Sequence, residues 1–234
     1  FDASQGHWVL ELTTGQRVSA KVLVSAMGGL SRPAIPDLEG LSTFQGPTFH
    51  SAQWRHDVPL EGKTVAVVGT GASAIQFVPW LQPQVKKLVL FQRTPPWILP
   101  KADREFGPLE RALYRKLPAA QAVLRRKIFW QHELRYFGLQ NERLSALGER
   151  LARAHLRRQV KDPALRTRLT PGYRLGCKRV LLSNDYLPAV ASPNVELVTE
   201  GIDAVTPTGV RTRDGREHAV DALVLGTGFR ATDL

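Results

Sequence analysis

Cysteine and long apolar runs are the features that this sequence of 234 residues has least of. It contains one cysteine, Cys177, so an internal disulfide framework is excluded and we expect a cytoplasmic location. No apolar run approaches the ~18 residues of a membrane helix and no signal peptide is recognisable, so the sequence predicts no transmembrane segment. The hydrophobic share of 43% is still enough to build a sizeable core.

Acidic residues are scarce in one region, and that region explains the net charge of +11. Residues 104–168 contain 16 Lys or Arg and 6 Asp or Glu, which gives +10 for this segment alone. No nucleic-acid motif is recognisable, so we predict no nucleic-acid partner. Leucine and alanine recur here three and four positions apart, which predicts a helical insertion whose basic face is solvated or docks an acidic surface. Leu144, Leu147, Leu151 and Ala154 are expected to form its apolar face.

Apolar patterning outside the insertion predicts an α/β fold with a parallel sheet. A hairpin is expected before a buried strand at residues 22–26, and residues 64–68 and 88–91 are expected to be buried parallel strands. A helix is expected to open at Ala72, between the last two strands. Residues 29–62 are rich in proline and glycine, which is typical of a linker.

The chain also contains a short internal repeat. Gly15 precedes Gly28 by 13 residues, and Gly215 precedes Gly228 by 13 residues. In each pair the first glycine lies in a polar turn and the second ends an apolar stretch. Two copies of a β-ribbon that leads into a last core strand suggest two dinucleotide-binding domains.

A glycine-rich turn between the strand at 64–68 and the following helix carries the clearest binding motif. The turn fits G-x-G-x-x-A and consists of Gly69, Thr70, Gly71, Ala72, Ser73 and Ala74. The first glycine allows a tight turn, the second lets the backbone approach a pyrophosphate, and the alanine allows close helix–sheet packing. The helix N-terminus then offers free N–H groups to the phosphates. This context predicts a Rossmann-like nucleotide-binding domain.

The residue after the next strand indicates which dinucleotide is bound. Arg93 lies 24 residues after Gly69, where an acidic residue would otherwise bind a ribose 2′-hydroxyl. A guanidinium pairs with a 2′-phosphate, whereas a carboxylate would repel it. The sequence therefore favours NADPH over NADH.

At this point the chain resembles the class B flavoprotein monooxygenases, and within them the type I Baeyer–Villiger enzymes. Their fingerprint is F-x-G-x-x-x-H-x-x-x-W followed by Pro or Asp; Phe44, Gly46, His50 and Trp54 fit it, and Arg55 departs from it. Further similar segments are Ala26–Pro33, in which Met27 replaces a threonine, Gln92–Pro95, Gly176–Arg179 and Gly226–Phe229.

The resemblance implies the cofactors and the roles of several residues. It implies FAD and NADPH, and insertion of one oxygen atom of O₂ into a ketone through a flavin C4a-peroxide. Lys178 is similar to the lysine that joins Arg93 at the 2′-phosphate, and Arg179 is similar to the catalytic arginine beside the flavin. Thr94 and Gly228 are implied to belong to the cofactor-binding set. His50 is implied to couple domain movements, with Phe44 and Trp54 as linker anchors.

The resemblance also implies a division into domains. Residues 1–40 would be part of an FAD-binding domain, 41–62 the linker, 63–228 the NADPH-binding domain, and 229–234 the start of a return to the FAD domain. We expect the chain to be a fragment that, without the other flavin-domain segments, is inactive. No histidine or cysteine pattern predicts a metal site.

The residues are also compatible with two other functions. Arg55 leaves room for a related N- or S-oxygenating flavin monooxygenase that acts on a heteroatom substrate. A non-catalytic nucleotide-binding or docking module is the alternative from another class.

Overall fold

The computed structural model describes residues 1–26 and 28–231. Met27, and residues 232–234 of the predicted return segment, lie outside the described residues. The chain divides into a smaller unit, formed by Phe1–Ala34 and the described residues from Phe229 onward, and a larger unit, Ile35–Gly228.

The described residues form twelve strands and six α-helices. The strands are β1 Trp8–Glu11, β2 Arg17–Ala20, β3 Thr48–His50, β4 Thr64–Val68, β5 Lys87–Phe91, β6 Ile98–Leu99, β7 Leu181–Leu182, β8 Val195–Val198, β9 Ile202–Thr206, β10 Gly209–Thr212, β11 Glu217–Ala219 and β12 Ala222–Leu225. The helices are α1 Ala74–Leu81, α2 Pro108–Lys116, α3 Pro118–Gln140, α4 Glu142–Gln159, α5 Pro163–Leu169 and α6 Tyr186–Val190. None of the helices in the described part of the chain combines the length and apolar character needed to cross a membrane.

A five-stranded parallel sheet forms the centre of the larger unit, in the order β3-β12-β4-β5-β8. Its inner strands are continuous apolar runs such as Thr64–Val68, because both faces of the sheet are covered. The strand order reverses between β4 and β12. In open parallel sheets this reversal leaves a crevice at the carboxyl ends of the strands, where ligands bind.

The two faces of this sheet are covered by different structures. One apolar cluster joins Val65 and Val67 of β4 to α1, α6 and parts of α4 and α5. The other joins Ala66 of β4 to Val205 and Val210, which belong to an antiparallel sheet of order β11-β10-β9. The larger unit therefore has three layers: helices, parallel sheet and β-ribbon. The α/β fold class expected from the sequence is confirmed.

The smaller unit departs from the prediction. The hairpin is present as β1 and β2, which pair antiparallel, but the predicted strand at residues 22–26 is wrong. Val22 and Val24 are 74% and 80% exposed. A buried strand needs neighbouring strands for its backbone groups and a surface for its side chains, and the described residues of this unit offer it neither.

Two further differences concern the linker and the insertion. The segment predicted as a linker contributes β3 to the parallel sheet. The predicted apolar face of the insertion is wrong, since Leu144, Leu147 and Leu151 are each more than half exposed. The buried residues of α4 are instead Ser145, Ala152, His155 and Leu156. The reason is that α4 packs against a small cluster around Trp97 and against the main apolar cluster, which buries a neighbouring side of the helix.

A candidate dinucleotide site at the carboxyl edge of the sheet

The turn between β4 and α1 requires glycine at its first position. Gly69 has φ +104°, and a Cβ at this position would lie 2.5 Å from the carbonyl oxygen of Gly226. Its N–H donates to the carbonyl of Phe91, at the end of β5, over 3.0 Å. The turn is therefore fastened between the carboxyl ends of β12 and β5, the two neighbours of β4.

The rest of the motif leaves space for a ligand and closes the packing behind it. A Cβ on Gly71 would meet nothing within 4 Å, so the backbone is open to approach from outside. Ala74 is fully buried, and a Cβ placed on Gly226 would lie 3.6 Å from that of Ala74. The small residues on both sides thus allow α1 to pack closely against the end of β12.

The N-terminus of α1 is free for an anion. Ser73 at the N-cap makes no side-chain capping bond, and the first turn contains no acidic residue. The Ile75 and Gln76 N–H groups donate to the carbonyls of Gly71 and Ser73, so the N–H groups of residues 72–74 and the helix dipole are what would favour a phosphate.

The segment after β5 lies against the same turn. Thr70 is buried, and its hydroxyl donates to the carbonyl of Thr94 over 3.4 Å. Arg93 is exposed directly after the strand. Its neighbour Gln92 is buried and donates from Nε2 to the carbonyl of Arg168 over 2.9 Å, which fixes the strand end that presents Arg93.

Lys178 and Arg179 lie on an exposed loop before β7. The Lys178 ammonium lies 4.9 Å from the ring centroid of Tyr173, and the Tyr173 hydroxyl donates to the carbonyl of Pro95 over 3.2 Å. Lys178 is thereby connected to the segment that begins with Arg93. Arg179 makes no ion pair with any carboxylate of the described residues, so a structural ion pair there does not explain it.

The loop that carries Lys178 is held by groups that the sequence did not reveal. The indole N–H of Trp97 donates to the carbonyl of Tyr173 over 2.7 Å, and Trp97 is 2% exposed. The Leu175 N–H donates to a carboxylate oxygen of Glu149, on α4, over 3.0 Å. The basic insertion therefore supports the predicted phosphate-binding loop through an acidic residue. The one feature of the sequence that could have pointed to Tyr173 is its position, as an aromatic residue five positions before Lys178.

The fingerprint residues fasten the segment around β3 to both faces of the sheet. Phe44 packs with the cluster on the β-ribbon side, and Trp54 packs with the cluster on the helix side. The centroid of the Trp54 ring lies 5.2 Å from the ring centroid of Phe49 and 5.3 Å from that of Phe77, on α1. Gly46 is required because a Cβ there would collide with the carbonyl oxygen of Asp221 and approach the Phe44 ring to 2.7 Å.

His50 connects the fingerprint to the end of β12. It ends β3, is 1% exposed, and accepts a hydrogen bond at Nδ1 from the Ala52 N–H over 3.1 Å. Burial lowers its pKa, and a hydrogen bond with the backbone of Gly228 partly opposes that shift. The fingerprint histidine is thus in direct contact with Gly228, three residues after the end of β12.

Arg55, which departs from the fingerprint, is neutralised locally. Its guanidinium forms a two-pronged pair with the carboxylate of Asp57, with 2.8 Å from Nε to Oδ1 and 2.5 Å from Nη2 to Oδ2. The guanidinium lowers the pKa of Asp57 to about 2. Both side chains are more than half exposed, so the departure from Pro or Asp leaves the neighbouring Trp54 packing intact.

A parallel sheet that reverses its order beside a G-x-G-x-x-A turn, with cations on the adjoining loops, defines a dinucleotide-binding protein. The comparisons with known proteins specify the family. Residues 3–232 match the family model described as flavin-binding monooxygenase-like. The chain belongs to this family.

The most similar relatives considered include two named Baeyer–Villiger monooxygenases. One, from Pseudomonas aeruginosa, is 50% identical over all of this chain and 44% of its own length. The other, from Streptomyces coelicolor, is 47% identical over all of this chain and 45% of its own length. The chain therefore spans less than half the length of the curated relatives it matches.

Solved structures show the same architecture. A cyclohexanone monooxygenase with bound ε-caprolactone matches with a TM-score of 0.82 and 29% identity, over 98% of this chain and 52% of that one. A complex of OTEMO with FAD and NADP matches with a TM-score of 0.81 and 26% identity, over 97% of this chain and 51% of that one.

Proposed function

We propose that the larger unit is the NADPH-binding part of an FAD- and NADPH-dependent monooxygenase that performs Baeyer–Villiger oxidation of a ketone with O₂. The observation that carries the proposal is the contact of His50 with the backbone of Gly228, which connects the fingerprint to the strand beside the glycine turn. The similarity to Baeyer–Villiger monooxygenases supports the reaction, and a solved relative is a complex with FAD and NADP.

NADPH fits the residues present at the sheet edge. Gly69, Gly71 and the open N-terminus of α1 would hold the pyrophosphate, because the space before Gly71 is free and the helix end lacks a cap. Arg93 and Lys178 would hold the 2′-phosphate, since both are exposed cations on adjoining loops.

Thr70, Ala72, Ser73, Ala74, Thr94 and Gly228 complete the proposed cofactor-binding set. Ala74 would keep α1 against the sheet, and the bond from Thr70 to Thr94 would hold the turn to the segment that carries Arg93.

Arg179 would act at the flavin. When bound, the flavin supplies oxygen activation with electrons from NADPH. The exposed guanidinium of Arg179, which no described carboxylate neutralises, is free to stabilise negative charge that develops on the reacting oxygen. The FAD pyrophosphate would be held by segments of the full-length protein outside these residues, because the described part of the smaller unit contains no helix.

The domain boundaries are part of the same proposal. We propose that residues 41–62 are the linker, 63–228 the NADPH-binding domain and 229–234 the return. The flavin side was expected over residues 1–40; we propose residues 1–34 for it, because residues 35–40 belong to the larger unit. We also propose a cytosolic location, because the chain contains a single cysteine.

The reaction is tested with the full-length protein, FAD, NADPH and a panel of ketones and sulfides. We expect consumption of O₂ and NADPH with formation of an ester or lactone, measured by mass spectrometry. Turnover of sulfides or amines without any ester would replace the proposal by heteroatom oxygenation. NADPH binding without turnover of either substrate class would identify a non-catalytic module.

The nucleotide assignment has a separate test. Arg93→Ala and Lys178→Ala should each raise the KM for NADPH about 10- to 100-fold, the range for loss of a charged hydrogen-bond partner. The KM for NADH should not change, because NADH lacks the 2′-phosphate. Lys86→Ala is the matched control, since this exposed lysine lies before β5, at the opposite edge of the sheet. Equal effects on NADPH and NADH would refute the assignment.

A further inference from the structure

Tyr173 has an arrangement that the proposed cofactor set does not use. Its three parts are engaged separately: the carbonyl by Trp97, the hydroxyl by Pro95, and the ring face by Lys178. The residue is half-buried and packs with the cluster around Trp97. Its ring is therefore a fixed surface rather than a mobile side chain.

Lys178 depends on this ring for its position. The lysine is exposed and forms no ion pair with a carboxylate of the described residues, and its described contact is the one with the Tyr173 ring, 4.9 Å from ammonium to centroid. A lysine without such a contact loses much of its rotamer freedom when a phosphate fixes it. A ring that already restricts the lysine reduces that loss.

The contact with the ring also leaves the ammonium able to bind an anion. The ring face attracts the positive charge but takes up only one side of the ammonium, whose three N–H donors can still reach phosphate oxygens. Tyr173 and a phosphate can therefore hold the same lysine at the same time.

From these contacts we propose that Tyr173 is a positioning residue for nucleotide selectivity, which presents Lys178 to the 2′-phosphate of NADPH. The inference rests on the proposed NADPH function. The hydroxyl bond to Pro95, two residues after Arg93, sets the distance between the loop that carries Lys178 and the segment that carries Arg93. Tyr173 thus aligns the two cations of one phosphate site.

The test uses steady-state kinetics of the full-length protein with NADPH and NADH. Tyr173→Leu should raise the KM for NADPH about two- to fivefold, the equivalent of an exposed cation–π contact, and leave the KM for NADH and both kcat values unchanged. Tyr173→Phe keeps the ring but loses the bond to Pro95, so it should raise the KM for NADPH less than Tyr173→Leu does. In a Lys178→Ala background, Tyr173→Leu should have no further effect on the NADPH to NADH ratio.

A second substitution keeps the test decisive where Tyr173→Leu does not fold. Pentafluorophenylalanine at position 173 has the shape of phenylalanine but a ring face that repels cations, so the KM for NADPH should rise relative to Tyr173→Phe. Equal changes with both nucleotides, no change, or a fall in the KM for NADPH would overturn the inference.

The outcome also separates this inference from the proposed function. If Lys178→Ala leaves the NADPH to NADH ratio unchanged, the phosphate assignment itself is wrong. If Lys178→Ala changes the ratio and the Tyr173 substitutions do not, only the positioning role is wrong.

Discussion

The two turns of the internal repeat, which contain Gly15 and Gly215, have nearly the same backbone structure. In the first, the Gly15 N–H donates to the carbonyl of Leu12 over 2.9 Å, and in the second the Gly215 N–H donates to the carbonyl of Thr212 over the same distance. The two glycines have φ +81° and +84°. The two turns therefore place a glycine at the same left-handed position.

The segments that follow the two turns differ. After Gly215 the chain forms β12, which is fully buried between β3 and β4. After Gly15 the equivalent residues 22–26 form no strand, and Leu23 is 40% exposed where Leu223 is fully buried. The comparison teaches that an apolar run becomes a strand where neighbouring strands accept it.

The largest expected effect comes from shortening that matched pair of leucines. In the 234-residue chain, Leu223→Ala should lower the free energy of unfolding by about 2–5 kcal/mol because it leaves a cavity in the core. Leu23→Ala should cost less than about 1 kcal/mol, since much of its surface is already in water. Urea denaturation measures both values. Similar losses for the two variants would show that the two leucines are buried to the same extent in solution.

A second pair of substitutions tests the similarity of the turns. Gly15→Ala and Gly215→Ala should each cost about 1–2 kcal/mol, because both glycines have left-handed φ angles that disfavour a Cβ. No atom lies within 4 Å of a Cβ at either site, so the two costs should be nearly equal. Thermal denaturation of the two variant chains is the measurement. A large cost at only one of them would show that tertiary contacts, not the turn, set the conformation.

The smallest expected effect is a pH dependence that belongs to the second ribbon alone. Burial lowers the pKa of His218, with Glu196 and Asp214 opposing this shift and Arg216 and Lys87 adding to it. The unfolded chain therefore takes up a proton near pH 6.5 that the folded protein refuses, so the free energy of unfolding falls as the pH drops through this value.

Between pH 7 and pH 6 this loss should be less than about 1 kcal/mol, and His218→Gln should reduce it. Some dependence should remain in the variant, because burial also lowers the pKa of His50. The equivalent of His218 in the first ribbon is Val18, which is exposed and does not titrate. An unchanged pH profile in the His218 variant would contradict the assignment.

The comparison of the ribbons also indicates how far the sequence alone could be interpreted. The turn from Gly69 to Ala74 was predictable because its conformation depends on residues that are adjacent in the chain. The inner strands were predicted correctly as continuous apolar runs, but the similar run at residues 22–26 forms no strand, because no neighbouring strand in the described residues pairs with it.

The contacts of Tyr173 were not predictable in the same way. Its hydroxyl bonds to a carbonyl 78 residues earlier, and that proximity follows from the pairing of β6 with β7. The exposed side of α4 was missed because apolar spacing indicates a helix but does not decide which side the rest of the fold will cover.

The fingerprint segment around β3 must have a fixed length. Phe44 contacts one face of the parallel sheet, His50 reaches its edge, and Trp54 contacts the opposite face. The number of residues between these anchors therefore has to match the distance from one face of the sheet, around its edge strand, to the other face. Substitutions at solvent-facing positions of this segment do not change that number. One inserted or deleted residue would shift the alternation of β3 and bring an anchor to the wrong face.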